Sequence, residues 1–480
     1  MKKSLRFLKS IPILAITILL LSLNVQVLAT ECGDVNNDGK ITLSDFNMLK
    51  GYITKSVDFS GGNAAADVNN DGCINSLDLS YLKRYIQSQI NSFPSKGYMF
   101  KKMLSDKVSY SVVTDDSTNS AIEITNTSNE SVDFSMYMNG KSLFQSDNEV
   151  LAEIRSMPDK VSNEPIERKI WRFVRDNRSH LTPFTIYRWG HSPQLIFNSI
   201  GFGFCDDSAA VFCRLAECAG LQARVWALDG HVVPEVYVAG KWEMYDPDYG
   251  VYFKNRANEV AGLEELATDH TLITSPAERI DVPTGMTYYQ YSEGYANLFS
   301  HNDKSVSDWY DTVIDIKDQR FNLVPGAKIK IGENAEPPIL SLGVTAPTSS
   351  KGVSQYSQLG IIIPQGNNGA VINPPLVLQE VEGNGQFTVE SMGDDSTISS
   401  FTFGTAELND FINNINDSNK PEKYGRPYYI KSIKIISSDS PIEFVYLLNP
   451  LRFSVKDSNS IVMTGKGVDG LTAAIVPKSS

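Results

Sequence analysis

The chain has 480 residues, of which 41% are hydrophobic and 21% charged, and its formal net charge is −13 at pH 7. This length allows about three domains with a core each, and the ordinary aromatic content excludes a disordered or fibrous chain. The acidic balance argues against nucleic acid as the main partner, because phosphate binding needs clustered Lys and Arg. The five cysteines are too few for a disulfide scaffold, and their odd number leaves at least one thiol free.

The first 29 residues are typical of a secretory signal peptide. A basic segment (residues 2–9) precedes an apolar run (residues 11–23) and a small-residue cleavage site ending at Ala29. The apolar run is short for a membrane span, which needs about 20 residues; an uncleaved anchor is the alternative. We therefore expect a secreted, extracellular protein with no membrane association after signal cleavage.

Two copies of a repeat follow, at residues 33–53 and 66–86. Each contains a twelve-residue loop with oxygen-bearing side chains at positions 1, 3, 5, 9 and 12, a backbone carbonyl at position 7 and Gly at position 6. This is the ligand pattern of a hard cation such as Ca²⁺. The sequence predicts two Ca²⁺ ions, bound by Asp34, Asn36, Asp38, the Lys40 carbonyl, Thr42 and Asp45, and by Asp67, Asn69, Asp71, the Cys73 carbonyl, Asn75 and Asp78.

Each loop leads into an amphipathic helix, and too few residues precede the first loop for an entering helix. This double loop–helix unit, with Asp at position 12, resembles a type I dockerin domain of cellulosomal proteins over residues 30–92. The resemblance implies a small α-helical, calcium-folded module that binds a cohesin domain of a scaffoldin. By the same resemblance, the recognition residues are Leu43, Ser44, Ser76, Leu77, Lys50, Lys83 and Arg84, and the cohesin type stays open because the usual Ser-Thr pair is absent.

Residues 93–160 are predicted to form a linker and a strand-rich lead-in to a core at 161–310. Helical periodicity begins near Pro165 and returns from Cys205 to Ala219, where Gly220 ends the helix. Cys205 therefore lies at a helix N-terminus, where the dipole favours a thiolate.

A strand hairpin with its turn at Ala239-Gly240 follows this helix. If Val238 pairs with Lys241, His231 lies opposite Asp248 and diagonal to Asp246. A thiol at a helix end and a histidine oriented by a carboxylate form the arrangement of nucleophilic thiol catalysis.

The sequence GFCDDSAAVFCRLAECAGLQARVWALDGHVVPEVYVAGKWEMYDPDYGVY resembles the catalytic core of transglutaminase-like proteins, a branch of the papain-like cysteine enzymes. The resemblance implies an α+β core with Cys205 as nucleophile, His231 as base and acid, and Asp246 as the orienting carboxylate. The sequence departs from the family at Val233, where an aromatic residue is usual. The Cys205 amide is expected to donate to the oxyanion, with Asn198 or Gln194 as candidates for a second donor.

Residues 320–478 alternate short apolar runs with Gly, Pro, Ser and Asn, which predicts an all-β, sandwich-like C-terminal domain. The expected fold class is thus multidomain: an α-helical calcium module, an α+β core and a β-rich domain.

Three functions follow as hypotheses. The first is a cellulosome-associated thiol enzyme, an acyltransferase or a peptidase or amidase, that acts on amide bonds of a protein or peptide substrate associated with cell walls or plant polymers. The second is an inactive accessory or binding protein, and the third is a protein that modifies or binds polysaccharide. A zinc site formed by the cysteines and His231 is disfavoured, because the sequence has no CxxC pair.

Overall fold

A computed structural model describes residues 32–54, 56, 64–68, 74, 76–89, 99–104, 106–113, 120–181, 188–278, 288–300, 306–307, 316, 320–334, 356–393, 397–416, 428–455 and 458–477. The chain divides into two compact units, residues 1–98 and 99–480. The predicted signal peptide lies outside the described residues. Among the described helices, none is both long enough and apolar enough to cross a membrane.

The described residues of the first unit contain two helices, α1 (Leu43–Ile53) and α2 (Ser76–Ile86), and a 3₁₀ turn at Ala64–Ala66. The side chain of Thr42 caps α1 by accepting a hydrogen bond from the Ser44 amide, and the carboxylate of Asp45 accepts one from the Thr42 amide. Leu49 and Leu82 are fully buried between the helices. The amphipathic helices expected after each loop are confirmed.

The second unit contains eight further helices among the described residues. They are α3 (Asp147–Ser156), α4 (Ile166–Asp176), α5 (Pro193–Leu195, continued by a π-helical turn at Ile196–Ile200), α6 (Cys205–Cys218), α7 (Leu263–Thr268), α8 (Thr271–Thr274), α9 (Tyr288–Ser300) and α10 (Thr405–Asn416). Short 3₁₀ turns occupy Arg188–His191 and Val468–Gly470.

The strands of this unit are numbered in chain order. They are β1 (Met99–Leu104), β2 (Lys107–Val113), β3 (Ser120–Asn126), β4 (Val132–Met138), β5 (Lys141–Ser142), β6 (Ser179–His180), β7 (Phe202–Gly203), β8 (Gln222–Leu228), β9 (His231–Val238), β10 (Lys241–Met244), β11 (Val306–Ser307), β12 (Phe321–Leu323), β13 (Lys328–Asn334), β14 (Tyr356–Ile363), β15 (Val371–Ile372), β16 (Val377–Glu382), β17 (Gly385–Gly393), β18 (Ile398–Gly404), β19 (Tyr428–Ser438), β20 (Ile442–Leu448), β21 (Ser458–Thr464) and β22 (Leu471–Pro477).

Within the part of the chain that the structure describes, the strands form four sheets and one short parallel pair. Two larger sheets have the orders β1-β2-β21-β4-β12, with β5 beside β4, and β16-β20-β14-β13-β3-β22. A third has the order β15-β19-β17-β18, and these three sheets share one hydrophobic core. The fourth sheet, β10-β9-β8-β11, packs against α6, and β6 pairs in parallel with β7. The fourth sheet and the β6–β7 pair, together with α6, position the candidate site.

The structure corrects two expectations about this unit. Strands β3 and β4 of the predicted lead-in pair with β13, β22, β12 and β21, so residues 120–138 belong to the same sheets as the C-terminal strands. The reason is their alternating burial, since each presents a buried apolar face that needs neighbouring strands. The C-terminal region is also not all-β, because it contains helix α10, whose apolar face (Leu408, Phe411, Ile412 and Ile415) is buried.

Candidate functional site

The site is centred on the start of helix α6. Phe204 is the extended residue before the helix, and its amide donates to the carboxylate of Asp207, 2.7 Å away. Asp207 is buried, and burial raises its pKa well above the usual range, with the charge of Asp206 adding to the effect. A raised pKa favours the neutral form of Asp207, and so reduces the repulsion that this carboxyl group would exert on a thiolate at Cys205.

The hairpin that carries the histidine has the expected register. Lys241 pairs with Val238, and the turn residues Ala239 and Gly240 both have positive φ, at 49° and 93°. Two positive φ values suit the tight primed turns of hairpins. The β9–β10 ladder ends where Met244 pairs with Glu235, so His231, the first residue of β9, meets the segment after β10 through its side chain and not through the expected strand pairing with Asp248.

The structure brings the three predicted catalytic residues together. Nε2 of His231 lies 2.8 Å from Oδ2 of Asp246, and a ring nitrogen of His231 lies within 4.8 Å of Sγ of Cys205. The side chains of His231 and Asp246 are almost completely buried, whereas Cys205 is partly exposed and is a free thiol. A ligand can therefore reach the sulfur while the pair behind it is shielded from water.

The electrostatics of the site favour a protonated imidazole. Burial alone would lower the pKa of His231, but the charge of Asp246, its hydrogen bond, and the contact with Cys205 raise that pKa from 6.5 to about 10. An imidazolium beside a thiol is the partner that stabilises a thiolate.

Asp246 is held in place from several directions. Its Oδ1 accepts the amides of Asp248 and Tyr249, at 2.9 and 3.0 Å. Its Oδ2 accepts the hydroxyl of Tyr295 at 2.6 Å in addition to His231. Its backbone carbonyl accepts the indole N–H of Trp171 at 2.9 Å. These bonds fix the carboxylate, and through it the orientation of the imidazole.

A second histidine, to which the sequence assigned no partner, belongs to the same site. Nδ1 of His180 lies 2.9 Å from both carboxylate oxygens of Asp248, and Asp248 also accepts a hydrogen bond of 2.8 Å from Arg178. An oxygen of Asp248 lies within 4.8 Å of Sγ of Cys205. The strand register predicted only that Asp248 lies near His231. Residues 178–180 are too far from Asp248 along the chain for any local sequence pattern to place them beside it.

The two side chains considered as second oxyanion donors have structural roles. Asn198 donates to the carbonyls of Phe144 and Pro375, and Gln194 donates to the carbonyl of Ile316 at 2.7 Å. Both are fully buried by the chain segments that they join. The expectation that either one serves the oxyanion is therefore wrong, whereas the Cys205 amide, at the first position of α6, has no partner within its helix.

The group of Cys205, His231 and Asp248 also has the composition of a metal site. The carboxylate of Asp248, however, already accepts hydrogen bonds from Arg178 and His180. A guanidinium at 2.8 Å from a ligand oxygen repels a cation, so the arrangement suits thiol chemistry better than metal binding.

The first predicted calcium loop is described completely. Asp34 and Asp45 are buried, and in the described residues their hydrogen bonds come from backbone amides and the Thr42 hydroxyl, without a basic side chain. Gly39 has φ +81° at position 6, where the loop turns. Buried carboxylates that lack a cationic partner need a counter-ion, so these residues fit Ca²⁺.

The second loop is described only in part. Asp67 and Asp78 lie within the described residues, and Asp78 is fully buried; Asn69, Asp71, Cys73 and Asn75 lie outside them. Of the predicted recognition residues, Leu43, Ser44, Lys50, Ser76, Lys83 and Arg84 are exposed, and nothing is described of the Leu77 side chain.

Comparison with known proteins identifies the first unit. Residues 32–87 match the family model of the dockerin type I domain. Type I dockerin domains bind calcium, so the expected calcium-binding module is confirmed at this level. No curated protein and no solved structure matches the chain.

Proposed function

We propose that the chain is a secreted, cellulosome-associated thiol enzyme of transglutaminase-like type that acts on amide bonds. The observation that carries the proposal is the chain of contacts from the partly exposed thiol of Cys205 to buried His231 and on to Asp246. In this proposal Cys205 is the nucleophile, His231 contacts it as the base, and Asp246 orients the imidazole, which is the arrangement that acyl transfer requires.

The geometry supports the following steps. In the resting pair His231 already carries the proton that Cys205 has given up, and the Cys205 thiolate attacks the amide carbonyl. The Cys205 amide, at the N-terminus of α6, donates a hydrogen bond to the developing oxyanion. His231 then protonates the leaving amine, which gives an acyl-thioester on Cys205. Water completes a hydrolysis, whereas an amine completes a transfer.

Incubation with a mixed peptide and amine library, read by mass spectrometry, tests this proposal. Amine coupling at a glutamine loses about 17 Da, deamidation gains about 1 Da, and hydrolysis of a peptide bond gives fragments. Each product must require Cys205, so the Cys205→Ala protein is the matched control. If the wild-type and Cys205→Ala proteins give the same products, the inactive accessory function replaces the enzyme.

We propose further that the first unit binds a cohesin domain of a scaffoldin when two Ca²⁺ ions are bound. The match to dockerin type I domains and the exposed side chains of Leu43, Lys50 and Arg84 support this partner. A bound Ca²⁺ would neutralise the buried carboxylates and so hold the loop against the start of α1.

Cohesin capture by the full-length protein tests the docking proposal. Asp34→Ala removes a buried ligand and should abolish or strongly weaken capture at limiting Ca²⁺. Asn47→Ala, on an exposed position of α1 outside the ligand set, is the control and should bind like the wild type. If the Asp34→Ala protein is captured by cohesin as well as the wild type, calcium-dependent binding is contradicted.

A further inference from the structure

His180 is fixed beside the nucleophile by the backbone. Strand β6 pairs in parallel with β7, so that His180 is aligned with Gly203, two residues before Cys205. The amide of Leu181 donates to the carbonyl of Gly203 at 3.2 Å, and the ring of His180 lies 5.3 Å from the ring of Phe204. His180 is therefore held beside the segment that leads into Cys205, and its partner Asp248 lies within 4.8 Å of Sγ of Cys205.

Asp248 sets the orientation of the His180 ring. This carboxylate is buried, and burial would raise its pKa, but the charge of Arg178 and the hydrogen bond from His180 lower that pKa below the usual range. An ionised carboxylate accepts the proton on Nδ1, which leaves Nε2 as a hydrogen-bond acceptor in the neutral ring. In the described part of the chain, Nε2 of His180 makes no hydrogen bond.

The two histidines differ in access. His231 binds Asp246 through Nε2 and contacts Cys205, and its side chain is 4% exposed. The side chain of His180 is 16% exposed, although Asp248 behind it is 1% exposed. The imidazole of His180 is thus more open than that of His231 to the solvent from which a water or amine reaches an acylated Cys205.

We propose that His180 is a second catalytic base, which activates the water or amine that attacks the acyl-thioester on Cys205. This inference rests on the proposed function. In the step, Nε2 of His180 takes a proton from the nucleophile, whose oxygen or nitrogen forms a bond to the acyl carbon. The bond from that carbon to Sγ of Cys205 breaks, and the electron pair returns to the thiolate. The proton on His180 then passes to solvent.

Stopped-flow kinetics with p-nitrophenyl acetate separate the two halves of the reaction. The burst of nitrophenol measures acylation of Cys205, and the steady state measures deacylation. His180→Gln should keep the burst and lower the steady-state rate on the order of 10²-fold, the usual effect of a lost general base. The acetylated enzyme should accumulate, with a gain of about 42 Da on Cys205.

Two further variants separate chemistry from folding. His180→Ala leaves space beside Asp248, and added imidazole should restore its deacylation rate, which a purely structural residue would not show. His270→Gln makes the same change as His180→Gln at a histidine whose nearest side-chain partner is Ser300, 3.5 Å away, and should match the wild type.

The outcomes distinguish the two proposals. An unchanged steady-state rate in His180→Gln, or a burst lost in that variant together with the steady state, overturns the role of His180. No burst and no acetylation of Cys205 in the wild type contradict the proposed function itself, and the role of His180 falls with it.

Discussion

At the scale of single residues, the site depends on a histidine that is buried and still charged. Burial disfavours an imidazolium, but Asp246 at 2.8 Å more than offsets this and raises the pKa of His231 to about 10. The folded protein therefore holds a proton that the unfolded chain releases above pH 6.5. The charge that prepares the thiol also contributes to stability.

The stability of the second unit should depend on pH through His231. Because the folded pKa lies above the unfolded value, the contribution is complete below about pH 6.5 and is lost as the pH rises towards 10. The free energy of unfolding should fall across this window in the wild type and fall less in His231→Gln. The free energy of unfolding at each pH can be measured by urea unfolding followed by tryptophan fluorescence, since all five tryptophans lie in this unit. The control His270→Gln should show the same decrease in the free energy of unfolding with pH as the wild type. An equal decrease in His231→Gln would contradict a stabilising ion pair between His231 and Asp246.

Sequence patterns predicted residues of the site only where they are close along the chain. The helix start at Cys205 and the register of the hairpin carrying His231 follow from local periodicity and turn chemistry. Tyr295 and His180 reach the site through helix α9 and through a two-residue parallel pair. Neither element has a periodic pattern that indicates its neighbour, so tertiary packing alone places them.

At the scale of elements, the entry into α6 depends on space for a backbone turn. A Cβ atom on Gly203 would lie 2.4 Å from Oδ2 of Asp207, the carboxylate that caps the helix. Gly201 has φ +70°, and its Cβ would meet the side chain of Asn449. Glycine is thus required at position 203 for the close approach of Asp207 and at position 201 for a left-handed turn.

Gly203→Ala should disturb the cap of α6 and with it the position of Cys205. We expect a loss of about 1–3 kcal/mol in the free energy of unfolding, as for other overpacked sites, and slower alkylation of Cys205. Gly294→Ala is the matched control. Its Cβ would meet nothing within 4 Å, on an exposed position of α9, so it should be neutral or stabilise by up to about 1 kcal/mol. Equal effects of the two changes in urea unfolding would argue against the contact with Asp207.

The predicted elements agree with the structure where one strand or helix has its own periodicity. The short apolar runs of the C-terminal region, at residues 328–331, 360–363, 387–390, 429–436 and 443–448, fall within β13, β14, β17, β19 and β20. The sequence did not predict that β3 and β4 join the sheets of strands more than 180 residues further along the chain. A strand's alternation identifies its buried face but not the strand that pairs with its edge.

At the scale of the whole molecule, the residues proposed for docking and those proposed for chemistry lie in different parts of the chain. The residues that fit Ca²⁺ lie in the unit of residues 1–98, and the contacts of Cys205 lie within residues 99–480. Metal binding is coupled to folding where the ligands are otherwise uncompensated carboxylates. Calcium is therefore expected to control attachment to cohesin rather than the reactivity of the thiol.

Chelation of the full-length protein tests this separation. EDTA should abolish cohesin capture while the alkylation rate of Cys205 stays within about twofold of its value in Ca²⁺, because no predicted calcium ligand belongs to the thiol site. Both quantities can be measured on one sample, by capture and by mass spectrometry. A parallel loss of alkylation would show that the calcium module supports the thiol site.

The most direct test of the central claim, that Cys205 is a thiol activated by His231, is competitive alkylation with iodoacetamide read by peptide mass spectrometry. Cys218 is the internal control, because it lies at the other end of α6 and is also partly exposed. The account predicts that Cys205 reacts faster than Cys218 by on the order of tenfold or more at neutral pH, and that His231→Ala removes this difference. Equal rates at the two cysteines, unchanged in His231→Ala, would contradict it.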